Sequence, residues 1–300
     1  MTPPRDAAAH LPEALLRHAP PTAHTAPPLR AALLDVLHRP GRLARAALVY
    51  DAALAHGLAP VAAEQLACAV EYWHQASLVL DDLPCMDDGR ERRGRPCVHR
   101  THGESTTILT ALALINRAYA LSGLVFAEQD SATRATAQLL IEQTLGATGL
   151  VGGQARDLGY HAGMDAPRET GLIAWQKTGA LLWLSLGLPA LASRPSPGEW
   201  RALRRLALYW GLAYQAVDDL RDVLSTRADT GKSVQRDAAL HRPNLALALG
   251  VTAAQRRVQR LLQQATRTMA GLAASHPRWD YLPAWHERVF AASSAALCAA

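Results

Sequence analysis

The chain has 300 residues, of which 49% are hydrophobic and 19% are charged, and its formal net charge is +5. This length is enough to bury a large core in one or two domains. The sequence has no lysine-rich or aromatic-interleaved tract of the kind that nucleic-acid-binding proteins use, so we expect no nucleic-acid partner. The basic charge suits a phosphorylated small substrate instead.

The four cysteines form no CxxC pair and no histidine-spaced zinc pattern, which predicts reduced thiols without a disulfide framework. The sequence predicts that no apolar run reaches the length of a membrane span, and the N-terminal segment lacks a continuous apolar stretch of the signal-peptide type. These features together predict a cytoplasmic protein without a membrane span.

The predicted elements begin after residues 1–27, which are rich in Pro, Ala and His and are predicted to form a mobile N-terminal tail. From Leu29 onward, apolar residues recur at helical spacing in one segment after another, and Pro and Gly separate the segments. No long segment alternates with a period of two. The sequence therefore predicts an all-α helical bundle, with a single domain over residues 28–300.

The first unusual segment is LVLDDLPCMDDGRERRGR at residues 78–95. Asp81 and Asp82 end an apolar helical run, and the following turn is expected to bring Asp87 close to them. Arg92 and Arg93 come next, and planar guanidinium groups bind phosphate oxygens with two parallel hydrogen bonds. The alternative interpretation is an acidic helix end in solvent that is balanced by a basic turn.

A second acidic cluster lies in YQAVDDLRD at residues 214–222. Asp218 and Asp222 are four residues apart and share a helix face, at a cost of about 0.2–0.5 kcal/mol for each like-charge pair. Either cluster alone could be a solvated helix end. Two such clusters on apolar helices favour Mg²⁺, which binds one or two carboxylates together with substrate phosphates. We therefore expect two or more Mg²⁺ ions that hold a diphosphate between facing helices.

These motifs resemble those of the trans-isoprenyl diphosphate synthases, and most closely the bacterial geranylgeranyl diphosphate synthases. SLVLDDLPCMDDGRERRGRP is similar to the first aspartate-rich motif in its DDxxxxD form, and YQAVDDLRD is similar to the second. GLVGGQARDL, QKTGAL and DTGKSVQRD resemble three further elements, which follow in family order between residues 38 and 250. The resemblance implies an isoprenoid-synthase bundle with a central apolar cavity, usually assembled as a homodimer.

The resemblance also implies roles for individual residues. Two or three Mg²⁺ ions would be bound by Asp81, Asp82, Asp87, Asp218, Asp219 and Asp222. The allylic diphosphate would contact Arg92, Lys177, Thr178, Gln215 and Lys232, and isopentenyl diphosphate would contact Arg42, Arg45, His74 and Arg93. Asp81, Asp82, Lys177, Thr178, Asp218 and Lys232 would be the catalytic set. Lys177 and Lys232 are the only lysines among 31 basic residues, and both fall on motif positions.

The sequence departs from the family pattern at two places. The early GKxxR element reads PGRLAR, so Arg42 stands where the family has lysine. A later KxT element reads RPN at residues 242–244, which puts closure of that loop in question. His74 could also be an ordinary histidine on an apolar helix.

The length of the product depends on the residues below the first aspartates. Ala76 and Ser77 are small. In the family that the chain resembles, aromatic residues at these positions stop growth at fifteen carbons, so the resemblance implies a twenty-carbon product. Trp73 lies eight residues before Asp81, about 12 Å along a helix, and is either the cavity floor or a core residue.

The reaction implied by the resemblance is the condensation of isopentenyl diphosphate with an allylic diphosphate. Farnesyl diphosphate synthase and a non-catalytic regulatory subunit of a prenyl synthase remain as alternatives. A class I terpene cyclase would need no second diphosphate site, so Arg42, Arg45 and Arg93 argue against it. A helical scaffold would leave the paired acidic clusters unexplained.

Overall fold

The computed structural model describes residues 7–21, 23–161, 164–224 and 242–298. Helices account for nearly all of the regular structure in these ranges, which confirms the predicted all-α fold. The chain divides into two compact units, Met1–Asp130 and Ser131–Ala300. The single domain predicted for residues 28–300 stays a prediction.

The first unit is built around a long apolar helix. Its elements are α1 (Ala7–Arg17), α2 (Pro27–Leu37), α3 (Ala44–Ala55), α4 (Pro60–Asp81), a hairpin of β1 (Glu91–Arg92) and β2 (Arg95–Pro96), α5 (Val98–His102) and α6 (Glu104–Phe126). Helix α4 packs against α3 and α6 and buries most of its surface. Pro60 opens α4 at a position where a missing N–H costs nothing.

The prediction of a mobile tail over residues 1–27 is wrong for residues 7–17, which form α1. Leu11 and Leu15, four residues apart on one helix face, are fully buried. Arg17 Nη1 lies 2.7 Å from a carboxylate oxygen of Glu64 on α4, and the Tyr72 hydroxyl donates to the Leu15 carbonyl at 2.5 Å. The composition, with Pro12 inside the helix, concealed a short apolar stripe that docks on the unit.

Replacing Leu15 with alanine is expected to lower the free energy of unfolding by about 2–4 kcal/mol, because the change leaves a cavity between α1 and its neighbours. The neighbouring Leu16 is 40% exposed, so Leu16→Ala should change the stability by less than about 0.5 kcal/mol. Urea unfolding followed by tryptophan fluorescence measures both variants. Equal effects would show that α1 is not docked as described.

The second unit is also helical. Its elements are α7 (Ser131–Leu145), α8 (Leu150–Leu158), α9 (Ala166–Ala174), a π-helical turn (Trp175–Gly179), α10 (Ala180–Leu191), α11 (Pro197–Leu224), α12 (Leu245–Leu249), α13 (Val251–Ser275), a 3₁₀ turn (Pro277–Trp279) and α14 (Tyr281–Cys298). Every residue of α10 is buried, and α10 packs against α7 and α11. Helices α11 and α13 pack along each other.

Helix α6 is, among the helices described, the one that is long and apolar enough to cross a membrane by length and composition. The prediction that no apolar run reaches this length is therefore wrong for α6 by that measure. Arg117 of α6 donates from Nε to the His18 carbonyl at 2.7 Å, and α6 packs against α2 and α4. The helix is thus part of the helical packing of the first unit.

Candidate active site

The first acidic cluster lies where α4 ends and the chain folds back on itself. The Asp87 N–H donates to the Asp81 carbonyl at 3.0 Å, and the Gly89 N–H donates to the Asp82 carbonyl at 3.0 Å. These bonds place the half-buried Asp81 and Asp87 next to each other across the turn. The four-residue spacer therefore brings two carboxylates to the end of α4, as the sequence predicted.

Asp82 has a different environment from its neighbours. It is buried, and its two carboxylate oxygens accept hydrogen bonds from Arg92 Nε at 2.6 Å and Nη2 at 2.8 Å. Burial acts to lower the pKa of Arg92, but the hydrogen bonds and charge of Asp82 outweigh it and raise that pKa. A Cβ on Gly89 would lie 2.6 Å from an Asp82 oxygen, so glycine is needed beside the pair.

The Asp82–Arg92 pair bears on two predicted roles. Asp82 was predicted to bind Mg²⁺ and Arg92 to bind the allylic diphosphate. In this structure the two side chains are hydrogen-bonded to each other. Both roles stay predictions. The geometry favours a supporting role for Asp82, which holds the hairpin β1–β2 against the end of α4.

Predicted ligands of isopentenyl diphosphate lie on α3 and α4 and in the loops beside them. Arg45 Nη1 donates to His74 Nε2 at 3.3 Å. Burial and the charges of Arg45, Arg93 and Arg92 lower the pKa of His74 well below its usual range, so the ring is neutral. Because arginine has no acceptor, Nε2 must accept, and the ring proton is on Nδ1. The buried Nδ1–H has no hydrogen-bond partner among the residues that the structure describes.

Other predicted residues near this cluster take varied positions. Arg42 is exposed on the turn that precedes α3, and Arg93 is exposed in the hairpin turn. Ala76 is fully buried, and the half-buried Ser77 donates to the His74 carbonyl at 2.8 Å. Trp73 is buried and packs edge to face against Tyr119, with ring centroids 5.3 Å apart.

Glu71 is a buried carboxyl group that the sequence analysis missed. It lies on α4 one turn before Gln75, whose amide donates to it at 3.3 Å. Burial raises the pKa of Glu71 to about 7, against the opposing influence of Gln75, Arg45 and Arg93. An acidic residue in an otherwise apolar helix, three positions before His74, was the available signal.

Glu71 predicts a pH dependence of stability. Its folded pKa of about 7 exceeds the ordinary 4.5, so between these values the native state holds more protons and the free energy of unfolding falls as pH rises. Glu71→Gln should remove that slope and stabilise the protein by about 2–3 kcal/mol above pH 7. Denaturant titrations from pH 5 to 8 measure this. The exposed Glu128→Gln is the control, and an unchanged slope in Glu71→Gln would contradict the assignment.

The second acidic cluster lies near the end of α11 in the second unit. The Asp218 side chain is 48% exposed and lies 3.7 Å from Arg221, and Asp222 is half-buried. Asp219 is buried, and its oxygens accept from Gln215 Nε2 at 2.8 Å and from the Leu245 N–H at 2.7 Å. As in the first cluster, the second aspartate of the pair is held by protein groups, and its metal-binding role stays a prediction.

The predicted residues Lys177 and Thr178 lie in the π-helical turn Trp175–Gly179, a type of irregularity frequent at functional sites. Lys177 Nζ donates to Asp157 Oδ2 at 2.6 Å, and Thr178 Oγ1 donates to Gln215 Oε1 at 3.0 Å. Asp157 comes from the GQARDL segment, but its role was not predicted. The Asp157 carboxylate holds the Lys177 ammonium group in place beside the π-helical turn.

The RPN departure at residues 242–244 keeps a hydrogen-bonded loop. Asn244 caps α12, because its Oδ1 accepts from the Ala246 N–H at 2.9 Å and the Leu247 N–H at 3.1 Å. Its amide donates to the Asp219 carbonyl at 3.3 Å, and Arg242 Nη1 donates to the Asp157 carbonyl at 2.8 Å. Residues 242–244 therefore contact Asp219, a predicted site residue, and Asp157, which holds Lys177. Lys232 lies outside the described residues.

No cluster of three or more His, Cys, Asp or Glu side chains within the described ranges could hold a metal ion by itself. Each acidic cluster instead presents two accessible carboxylates, Asp81 with Asp87 and Asp218 with Asp222. Hard carboxylate oxygens in this number suit Mg²⁺, which completes its octahedron with water and substrate phosphates. The donor set thus fits the predicted ion.

The polyprenyl synthetase family profile matches residues 26–274. A geranylgeranyl diphosphate synthase of Pantoea ananas is 37% identical over 238 residues, which cover 76% of this chain and 74% of that protein. Another, of Pseudescherichia vulneris, is 39% identical over 204 residues, but these span only 67% of this chain and 64% of that protein.

Solved structures agree on the fold. A geranyltransferase from Helicobacter pylori, complexed with magnesium and isoprenyl diphosphate, superposes with a TM-score of 0.83 and 23% identity, covering 97% of this chain and 99% of that chain. An FPP/GFPP synthase from Zymomonas mobilis gives a TM-score of 0.78 and 26% identity, covering 94% and 95%. At such identities the likeness is principally one of fold.

Proposed function

The chain belongs to the polyprenyl synthetase family, and from this premise we propose that it is a Mg²⁺-dependent prenyltransferase. It condenses isopentenyl diphosphate with an allylic diphosphate to give geranylgeranyl diphosphate, the product named for its relatives in Pantoea and Pseudescherichia. The observation that carries the proposal is the paired carboxylates of Asp81 and Asp87 beside a set of arginines at the end of α4.

In the first unit, Asp81 and Asp87 would bind Mg²⁺, and Arg45, His74 and Arg93 would bind the diphosphate of isopentenyl diphosphate. The neutral His74 donates one hydrogen bond from Nδ1, while the two guanidinium groups supply charge. Asp82 keeps Arg92 and the hairpin in place. This division gives the buried Nδ1–H of His74 an acceptor once the substrate is bound.

In the second unit, Asp218 and Asp222 would bind further Mg²⁺, to a total of two or three ions. Lys177, fixed by Asp157, neutralises the allylic diphosphate, and Thr178 and Gln215 orient it through their shared hydrogen bond. Lys232 keeps its predicted role in binding the same group. Mg²⁺, when bound, withdraws charge from the diphosphate and so makes it a better leaving group.

The reaction moves two electron pairs before a proton leaves. The allylic C–O bond breaks and its electron pair leaves with the diphosphate. The double bond of isopentenyl diphosphate attacks the allylic cation, which gives a second, longer cation. A proton then passes from that cation to the released diphosphate, and the electron pair left behind forms the new double bond of the product. The basic side chains stabilise the departing charge as it develops. No side-chain base is required, since the diphosphate itself accepts the proton.

The reaction is tested by measuring released inorganic diphosphate in the presence of Mg²⁺. We expect release only when isopentenyl diphosphate and an allylic diphosphate are both present, and none when EDTA is added in excess. Release from the allylic diphosphate alone, with formation of a hydrocarbon, would favour a terpene cyclase and overturn the proposal.

Trp73 is proposed to set the product length as the floor of the prenyl cavity. Trp73→Ala should shift the main product beyond twenty carbons, while Trp73→Phe, which keeps an aromatic ring against Tyr119, should shift it much less. Reversed-phase chromatography of the dephosphorylated products separates the lengths. An unchanged product from a folded Trp73→Ala variant would make Trp73 a core residue without influence on length.

The protein is also proposed to act in the cytoplasm as a homodimer. Helix α6 exposes a row of large apolar side chains: Ile108, Leu109, Leu112, Tyr119 and Leu124. Such a face favours burial against a second copy of the chain. Sedimentation equilibrium should give twice the chain mass, and Leu112→Asp should shift the mass toward the monomer. A monomeric wild-type protein would contradict this part of the proposal.

A further inference from the structure

The turn before α3 contains a glycine whose missing side chain is replaced by an arginine from another loop. A Cβ built on Gly41 would lie 2.5 Å from Arg93 Nη2 and 2.8 Å from Nη1. Side-chain carbons do not approach nitrogen atoms this closely. The guanidinium of Arg93 therefore occupies the space that any other residue at position 41 would fill.

A second contact fixes the same guanidinium. Arg93 Nη1 donates to the carbonyl of Arg39, two residues before Gly41. The Arg39 side chain is itself held by Asp35, at 2.6 Å to Oδ2, and donates to the Pro96 carbonyl at 2.9 Å. Arg39, which follows α2, thus donates to the hairpin β1–β2 and accepts a hydrogen bond from it. These contacts hold Arg93 against the turn that contains Gly41.

The backbone of Arg93 makes this support necessary. Its φ is +56°, an uncommon conformation for a residue with a side chain, and Gly94 follows at +72°. A long side chain on a tight exposed turn has many rotamers, and ordering it when the substrate binds costs side-chain conformational entropy. Contacts that restrict the guanidinium before substrate arrives reduce that cost.

We propose that Gly41 is a positioning residue for isopentenyl diphosphate, acting through Arg93: the bare backbone at position 41 is the surface on which the guanidinium is held ready for the diphosphate. The inference rests on the proposed function, which assigns Arg93 to that diphosphate. It adds to that function the reason why the turn requires a glycine.

The chain offers a matched control. Gly41 has φ +72° and Gly57 has φ +86°, so alanine at either position adopts the same unfavourable backbone region. No atom of the described part of the chain lies within 4 Å of a Cβ built at Gly57. Gly57→Ala therefore reproduces the backbone strain of Gly41→Ala without displacing a side chain.

The test measures KM for isopentenyl diphosphate, KM for the allylic diphosphate and kcat. We expect Gly41→Ala to raise KM for isopentenyl diphosphate by about tenfold, the scale of one charge-assisted contact, with less than about a twofold change for Gly57→Ala. In an Arg93→Ala background, Gly41→Ala should add less than about twofold, because residues acting through one group are not additive. Equal effects of the two glycine variants, or additivity with Arg93→Ala, would overturn the proposal.

Two further measurements keep the test independent of folding and of activity. Gly41→Asn also fills the space, yet asparagine tolerates positive φ better than alanine, so it serves if Gly41→Ala does not fold. Calorimetric measurement of inorganic diphosphate binding to the wild type, Gly41→Ala, Arg93→Ala and the double variant repeats this double-mutant cycle without turnover. A wild-type protein that binds diphosphate but makes no product would refute the proposed function, while the cycle would still decide the role of Gly41.

Discussion

Replacing Asp81 with asparagine is expected to lower kcat by at least about a thousandfold, or roughly 4 kcal/mol of transition-state stabilisation. Asparagine keeps the size of the side chain but removes the charge that Mg²⁺ requires. The hydrogen bond between the Asp87 N–H and the Asp81 carbonyl uses the backbone, so the turn should remain folded. The loss should therefore appear in kcat and in Mg²⁺ dependence, with stability unchanged.

The matched control for this variant is Asp88→Asn. Asp88 belongs to the same acidic run, but it is exposed and its φ is +46°, a conformation that asparagine adopts readily. We expect its kcat to change by less than about threefold, since a distant exposed charge is screened. Similar losses in both variants would show that total negative charge matters, and would contradict a specific site at Asp81.

Replacing Asp82 with alanine is expected to lower the free energy of unfolding by about 2–4 kcal/mol. The change leaves the Arg92 guanidinium beside α4 without the two hydrogen bonds at 2.6 and 2.8 Å that now satisfy it. The Arg92 side chain is 31% exposed, so water recovers part of the loss. The hairpin that carries Arg93 should loosen at the same time.

Asp218→Ala provides the comparison for Asp82. Asp218 is exposed, and its contact with Arg221 at 3.7 Å is a weak surface pair. Its removal should change stability by less than about 0.5 kcal/mol while abolishing most activity. Thermal and urea unfolding measure the loss of stability in each of the two variants. A stable Asp82→Ala protein that lacks only activity would return Asp82 to the role of a metal ligand.

Helical periodicity was enough to predict the fold from Leu29 onward, because long apolar stripes specify helices without ambiguity. The same approach failed at α1, where Leu11 and Leu15 are too few to stand out in a Pro-rich segment. The docking of α1 depends on Glu64 and Tyr72, which are distant in sequence. The local hydrophobic pattern does not reveal contacts between residues that are so distant in sequence.

Motif spacing also placed the aspartate clusters correctly on helix ends, but it did not separate the roles of adjacent residues. Asp81 and Asp82 are the same type of residue, whereas Asp81 is half-buried and Asp82 is buried against Arg92. Asp218 and Asp219 differ in the same way, since Asp219 holds the Asn244 loop. Successive residues on a helix point about 100° apart, so only the packed structure shows which one is enclosed.

The most direct test of the account is the size of the product. The purified protein would be given Mg²⁺, labelled isopentenyl diphosphate and, in separate reactions, allylic primers of five, ten and fifteen carbons, and the products would be dephosphorylated and sized. We predict a twenty-carbon alcohol from the primers that are accepted. A fifteen-carbon end product would contradict the assigned length, and no elongation from any primer would contradict the prenyltransferase itself and favour a regulatory subunit.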